Sequence, residues 1–518
     1  MGIGLGGSLG SLIVRACQRW RNRIALEWPG GQLSYAQLGH RISQFIEAFR
    51  AIELSPGGAL AIMAPNLPET AIANAAAMVA AIRVTPVSMF VSDEDLAYIL
   101  SDADIDVLLV SPEHSQRAAA LVARLDRTIR VATLGAADQG VDLLALADTV
   151  AAFSPVPAAQ GSDIAVIAYT GGTTGRPKGV VHTHSSTLST VLMATSEWEW
   201  PTPTNVVAVT PVSHAAGMLC YPAWLRGGTF HLLPSFDPAS LADYAQKHNV
   251  TATFLVPTMI YRLIDCAKES VLDLGPLKTI IYGGAPIAVP RLVEAIEQFG
   301  PVFMQLYGQT EAPTCIAYLA RDQHHLDRPD RLGSCGIPLA SVDIQLRGTD
   351  GSPVAIGECG EICVRGAFVM KGYWRREADT AEALRDGWLH TGDIGRFDED
   401  GFLSIVDRTK DMIITGGFNV YPSEIEQVIA VQPGVSACAV VGIDDPRWGE
   451  AVTAFIVPTD RASPPDPALI AAIVRERRGP AAVPKRIEFI DVLPTTPIGK
   501  IDKKVLRQMS LAAVEARS

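Results

Sequence analysis

A chain of 518 residues is long enough for two or more domains and a large core. Its 48% hydrophobic and 19% charged residues match a soluble α/β enzyme and exclude a disordered chain. A formal net charge of -12 argues against non-specific nucleic-acid binding, yet leaves room for a local basic site that takes an anion.

No run approaches the roughly 18 consecutive apolar residues of a membrane span. The opening stretch MGIGLGGSLGSLIVRACQRW has no basic segment ahead of its short apolar run, so it reads as a helix entry rather than a signal peptide. Leu12, Ile13, Ala16 and Trp20 would share its buried face. Gly6 stands where N-myristoylation needs Ser or Thr. These features predict a cytoplasmic protein without a transmembrane segment. Eight scattered cysteines form no Cys-x-x-Cys pair, and the nearest two, Cys359 and Cys363, lie in a strand-like run. Reduced thiols are expected there, because structural zinc needs two more ligands.

Helical and strand-like segments then alternate. LSYAQLGHRISQFIEAFRAI has helical spacing, while ALAIMAP, IDVLLVS, TNVVAVTP, ATFLVPT and KTIIYGG read as buried strands. This alternation predicts a large N-terminal α/β domain of layered, mostly parallel sheets, with ligands at the carboxyl ends of strands. Further on, SVDIQLRGTDGSPVAIGECGEICVRG predicts a small β-rich subdomain with turns at Thr349-Asp350-Gly351 and Ile356-Gly357. After another turn at Asp398-Glu399-Asp400-Gly401 comes a small α+β C-terminal domain ending in a basic helix. The boundary falls in the polar stretch Asp407-Arg408-Thr409-Lys410-Asp411, giving domains 1–407 and 412–518 around a hinge at 408–411.

Five segments carry the chemistry. YTGGTTGRPKG, residues 169 to 179, is a glycine- and threonine-rich loop suited to a polyphosphate. It misses the P-loop spacing, because Pro177 parts Arg176 from Lys178 and Gly179 replaces Ser or Thr. TPVSHAAGM (210 to 218), MQLYGQTEA (304 to 312), GWLHTGD running on to DRTKDMIITGGFNVYPSEIE (387 to 426), and PTTPIGKIDKKVLR (494 to 507) follow in order. Together they resemble the adenylate-forming superfamily of acyl-CoA synthetases, luciferases and peptide-synthetase adenylation domains, over nearly the whole chain.

The resemblance implies two-step chemistry. A carboxylate attacks the α-phosphate of ATP, with Mg2+ on the phosphates, and a thiol, most often coenzyme A, displaces AMP from the acyl-adenylate. Thr170, Gly171, Gly172, Thr173, Thr174, Gly175 and Lys178 would cradle the β- and γ-phosphates, with Gly171 in place of the serine of many relatives. Glu311, with Thr174, would hold the metal, and Thr310 would donate to the α-phosphate. Tyr307 and Gly308, the Gln305 amide and the Gly283-Gly284-Ala285 turn would receive adenine. Asp393 would grip the ribose hydroxyls, with Ile405 and Arg408 nearby. Lys500 would offset the repulsion between acid and α-phosphate, while Lys503, Lys504 and Arg507 form a solvated helical face. Rotation of a mobile C-terminal domain about Lys410 would then bring Gly416 and Gly417 to the pantetheine tunnel.

His214, Ala216, Met218, Val256 and Met304 would line the acyl pocket, with His214 also in the catalytic set. No carboxylate stands in Ser213-His214-Ala215-Ala216, which argues against amino acids and leaves fatty, aryl and alicyclic acids open. The expected activity is ATP-dependent acid–CoA ligation. The alternatives are an acyl-AMP ligase that loads a carrier protein and a non-catalytic nucleotide-binding protein. Partners are small molecules rather than nucleic acid, and a homo-oligomer is left open.

Overall fold

The computed structural model describes residues 7–170, 176–416, 418–494 and 501–515. The chain divides into two compact units: Met1–Ile344 with Val364–His390 and Gly401–Leu403, and Gln345–Cys363 with Thr391–Asp400 and Ser404–Ser518. Two stretches upstream of residue 404 therefore pack with the C-terminal part.

In the first unit, among the described residues, nine strands form one sheet. Their order is Ile337–Pro338, Ala312–Leu319, Phe303–Gln309, Thr279–Gly283, Ala252–Leu255, Asn205–Ala208, Thr229–Leu232, Ile24–Trp28 and Gly31–Ser34. The centre is parallel, with Thr253 opposite Ile280 and Ile281 opposite Met304. Eight strands form a second sheet: Gly372–Tyr373, Lys178–Thr183, Ile164–Thr170, Arg83–Pro86, Ala59–Met63, Val107–Val110, Arg130–Thr133 and Val141–Asp142. The expected strands Ala59–Met63, Val107–Val110, Ala252–Leu255 and Thr279–Gly283 are buried at every position, as parallel strands covered on both faces must be. The helix His184–Glu197, opened by a Thr183–Ser186 capping box, packs on Lys178–Thr183 of one sheet and Ala312–Leu319 of the other.

The first helix, Leu9–Arg19, buries Leu9, Gly10, Ile13, Val14, Ala16 and Cys17. The expected face was therefore rotated: Leu12 is only half-buried and Trp20 lies past the helix end. Gly10 explains the rotation, because a Cβ there would fall 2.4 Å from the Met78 carbonyl oxygen. That close approach turns the Gly10–Val14–Cys17 side inward. Trp20 instead donates its indole N–H to the Leu225 carbonyl at 3.2 Å.

The β-rich stretch is present as strands Asp343–Arg347, Gly360–Arg365, Leu384–Arg385, Trp388–Phe397 and Leu403–Arg408. Gly351 takes φ 80° in the turn expected there.

In the second unit, strands Phe418–Val420, Ile413–Thr415, Gly449–Pro458 and Val435–Asp445 lie side by side, and Arg486–Phe489 pairs in parallel with residues 453–456 of Gly449–Pro458. Alternation along Val435–Asp445 sends Val440 toward helices Pro422–Ala430 and Pro467–Arg478, into a core with Ile425, Ile470 and Val474. Ala439, Val441 and Ile443 face the other way and meet Leu506 of the terminal helix Lys503–Glu515. That helix does not present the expected solvated row. Lys503 pairs with Glu426 at 2.9 Å and Arg507 with Asp411 at 3.0 Å, both largely shielded, and only Lys504 of the three is exposed. None of the eight cysteines is in a disulfide.

Candidate active site

Several motif segments of the first unit leave the carboxyl ends of neighbouring strands, where open α/β sheets gather ligands. Residues 283–285 follow Thr279–Gly283, Thr310-Glu311 follows Phe303–Gln309, and the 210–218 segment follows Asn205–Ala208. The glycine-rich loop leaves Ile164–Thr170 and returns as Lys178–Thr183, with Thr170 opposite Lys178 at its mouth. Gly171, Gly172, Thr173, Thr174 and Gly175 lie outside the described residues.

Both stems of that loop are anchored. Tyr169 donates its phenol to Asp102 at 2.5 Å, and the Arg176 guanidinium lies 5.3 Å from the centre of the Tyr98 ring. Lys178 forms an ion pair with Asp379, and its ammonium stands 5.2 Å from the centre of the Tyr373 ring.

Tyr373 also reaches the second motif, donating its O–H to Glu311 Oε1 at 2.8 Å. Burial, reinforced by the negative charge of Glu311, pushes the Tyr373 pKa up, so the phenol remains a donor at neutral pH. The Glu311 carbonyl accepts from Met370 N–H at 2.8 Å. The preceding Thr310 carbonyl lies 2.7 Å from Nε2 of the buried His182. A carbonyl only accepts, so that nitrogen carries a proton. Burial lowers the His182 pKa and keeps the ring neutral, so Nδ1 is an unprotonated nitrogen 3.4 Å from Ser186 Oγ. Thr310 and Glu311 are thus held from three sides.

Gly283 ends a buried strand, and a Cβ there would fall 2.6 Å from the Leu306 carbonyl oxygen. Gly284 takes φ 79°, which favours glycine, and Ala285 follows. Tyr307 is 7% exposed, so most of its ring is covered by protein. At Gly308 a Cβ would meet the Thr314 nitrogen at 2.2 Å. The Gln305 side chain lies 3.2 Å from the hydroxyl of buried Tyr282.

The 210–218 segment is pinned by Asn66. Its amide donates to the Thr210 and Leu233 carbonyls at 3.0 Å each and accepts from Val212 N–H at 2.9 Å. His214 is exposed, with Nδ1 2.9 Å from Ser213 Oγ, just ahead of the short helix Ala215–Met218. That helix buries Ala216 and packs on Ala252–Leu255, the strand that runs into Val256. Met304 is fully buried, and Met218 and Val256 are half-buried.

The remaining expected residues belong to the second unit. Asp393 is 2% exposed, and its Oδ1 lies 2.6 Å from Nε of Arg408. The strands that carry them are tied by Thr409 N–H donating to the Gly392 carbonyl at 2.8 Å. Ile405 is exposed on its strand. Lys410 is exposed, and the desolvation of its inner side lowers its pKa. Gly416 takes φ 58° beside the Trp448 ring and donates its N–H to the Trp448 carbonyl at 2.7 Å. Gly417 and Lys500 lie outside the described residues.

Tyr373, Asp379, His182 and Asn66 did not emerge from sequence reasoning. Each acts on a partner far away in the chain, so local spacing carries no signal for them. A clue for Tyr373 was the polar-flanked aromatic pair in MKGYWRR.

Comparison with known proteins extends these observations. The profile described as AMP-binding enzyme matches residues 13–374, and that of the AMP-binding enzyme C-terminal domain matches residues 424–500. A medium/long-chain-fatty-acid–CoA ligase of Mycobacterium tuberculosis is 40% identical over 512 residues, 96% of this chain and 89% of that protein. A feruloyl-CoA synthase of Amycolatopsis is 37% identical over 503 residues, 96% of this chain and 98% of that protein. Among solved structures, an amide bond synthetase of Marinactinospora thermotolerans superposes with TM-score 0.85 at 33% identity, covering 97% of this chain and 100% of that one.

Proposed function

The chain belongs to the AMP-binding enzyme family, and on that premise we propose that it is an ATP-dependent carboxylic acid–CoA ligase. It joins an acid to AMP with release of pyrophosphate, then transfers the acyl group to the thiol of coenzyme A. The observation that carries this reading is the convergence of Lys178 and Glu311 on one side chain, Tyr373. A cation from the glycine-rich loop and a carboxylate from the Thr-Glu turn are thereby brought together, as a metal–polyphosphate complex requires. Relatives named as CoA ligases support the acceptor.

Glu311 is suited to magnesium. One oxygen is fixed by Tyr373, while Oε2 takes no hydrogen bond among the described residues and offers a hard anionic ligand. Bound there, with Thr174 as a second oxygen donor, magnesium would neutralise phosphate charge. Thr170, Gly171, Gly172, Thr173, Gly175 and Lys178 take the pyrophosphate end, and Thr310 donates to the α-phosphate. Gln305, Tyr307, Gly308 and residues 283–285 receive adenine. Asp393, oriented by Arg408, takes the ribose hydroxyls. Lys500 relieves the repulsion between the two anions in the adenylation step. Gly416 and Gly417 leave room for the pantetheine arm.

The acid is of the fatty, aryl or alicyclic class with an uncharged tail. Support comes from the uncharged residues Ala216 and Met218 of the Ala215–Met218 helix and Val256 after the strand it packs on, with no carboxylate in Ser213-His214-Ala215-Ala216 to pair an amino acid; Met304 completes the expected lining. We assign residues 1–407 to the nucleotide- and acid-binding domain, 408–411 to a hinge at Lys410, and 412–518 to the C-terminal domain. No described helix is long and apolar enough to cross a membrane, and a cytoplasmic location, where ATP and CoA are supplied, is part of the proposal. The solved amide bond synthetase favours a second acceptor reading, an amine in place of the thiol. Assays with CoA, a carrier protein or an amine separate the three acceptors by the mass of the acyl product.

A further inference from the structure

Tyr282 has no exposed area, and its hydroxyl sits between the His324 ring and the Gln305 amide. Its Oη lies 3.0 Å from His324 Nε2 and 3.2 Å from Gln305 Oε1. On the far side of the imidazole, His324 Nδ1 is 2.7 Å from the Ala320 carbonyl oxygen. A carbonyl only accepts, so Nδ1 carries the ring proton. Burial lowers the His324 pKa to about 4, hence the ring is neutral at working pH and Nε2 is an acceptor.

A phenol has one proton to give, and His324 Nε2 takes it. The Gln305 amide, whose two ends exchange on rotation about its last bond, must then turn its N–H2 toward Tyr282 Oη and its oxygen away. Proton direction is set along the whole relay, from Gln305 to Tyr282 to His324 to the Ala320 carbonyl. No other hydrogen bond to the Gln305 side chain is made among the described residues, so this relay alone decides which end of the amide is presented.

We propose that Tyr282 and His324 are positioning residues that orient the Gln305 amide with its oxygen outward, selecting adenine over 6-oxopurines. Adenine offers an exocyclic N–H2 donor at position 6, whereas hypoxanthine and guanine offer a carbonyl acceptor there. An outward amide oxygen welcomes the first and opposes the second. The inference rests on the reading that Gln305 meets the adenine edge.

The test is the ratio of dissociation constants for ATP and ITP, measured by titration calorimetry on the full chain. Each protein is its own control, so a general loss of stability cancels, and no turnover is needed. The unaltered chain should prefer ATP. Tyr282→Phe frees the amide to rotate and should cut the preference about tenfold, the worth of one hydrogen bond. His324→Leu removes the acceptor, so Tyr282 then donates to the Gln305 oxygen and turns the N–H2 outward. Its preference should fall further, toward ITP. That ordering supports the relay. An unchanged ratio in both variants, with an altered ratio in Gln305→Ala, overturns the relay and leaves the adenine contact standing. An unchanged ratio in Gln305→Ala overturns both.

Discussion

The phenol of Tyr373 donates to Glu311 Oε1 at 2.8 Å while its ring underlies the ammonium of Lys178. One side chain therefore sets the distance between the carboxylate suited to the metal and the cation suited to phosphate. Tyr373→Phe keeps the ring and removes only the O–H. We expect the magnesium concentration for half-maximal adenylation to rise about tenfold, in line with loss of a hydrogen bond to a charged group. The KM for the acid should be unmoved. An unchanged magnesium dependence would deny Tyr373 any hold on Glu311.

Lys178 is not idle before nucleotide binds, because Asp379 already pairs with it. Phosphate must compete with that carboxylate. Lys178→Met is expected to raise the KM for ATP about tenfold. Asp379→Asn should move the other way and tighten inhibition by added pyrophosphate a few-fold. Weaker inhibition in Asp379→Asn would mean that the acid supports the lysine rather than competing for it.

The difference between what the sequence announced and what it concealed is physical. Strands such as Thr279–Gly283 were readable because burial on both faces demands an unbroken apolar run. Motif order along the chain was enough to nominate Thr310, Glu311 and Lys178. Their supports were not readable: Tyr373 reaches Glu311 across 62 positions, His182 reaches Thr310 across 128, and Asp379 reaches Lys178 across 201. The charge run at 503–507 misled for the same reason, since the partners of Lys503 and Arg507, Glu426 and Asp411, lie on distant elements. Gly10 misled in another way. Its value is the backbone approach it permits, which hydrophobic spacing does not register.

Two substitutions separate the half-reactions. Lys500→Ala should slow adenylation by about 100- to 1,000-fold, the usual cost of removing one transition-state charge partner, yet still convert supplied acyl-adenylate to thioester. Gly417→Leu should do the reverse, forming adenylate but transferring it poorly. Adenylation at a normal rate in Lys500→Ala would remove that residue from its assigned role. Equal losses in both halves for Gly417→Leu would remove the glycine from the thiol path.

Stability should depend on pH through buried imidazoles. Burial lowers the pKa of His184 to about 4, of His231 to about 3 and of His324 to about 4. The unfolded chain takes up these protons near pH 6.5, whereas the folded chain does not until far lower. Their contribution is therefore complete above about pH 6.5 and is lost as pH falls toward 4. Thermal midpoints should drop steadily from pH 7 to pH 5. His184→Asn should reduce the proton uptake on unfolding at pH 5 by about one, because neither ring nitrogen of His184 has a partner among the described residues. A midpoint independent of pH over that range would contradict the assignment.

Reaction at the α-phosphate is reported directly by the nucleotide products. The chain is incubated with ATP, magnesium, CoA and a panel of fatty, aryl and alicyclic acids, the nucleotides are separated, and the thioester is read by mass. AMP and pyrophosphate should appear in equal amounts, with an acyl-CoA formed from at least one acid. ADP and inorganic phosphate in their place would mean reaction at the γ-phosphate and rule out the ligase reading.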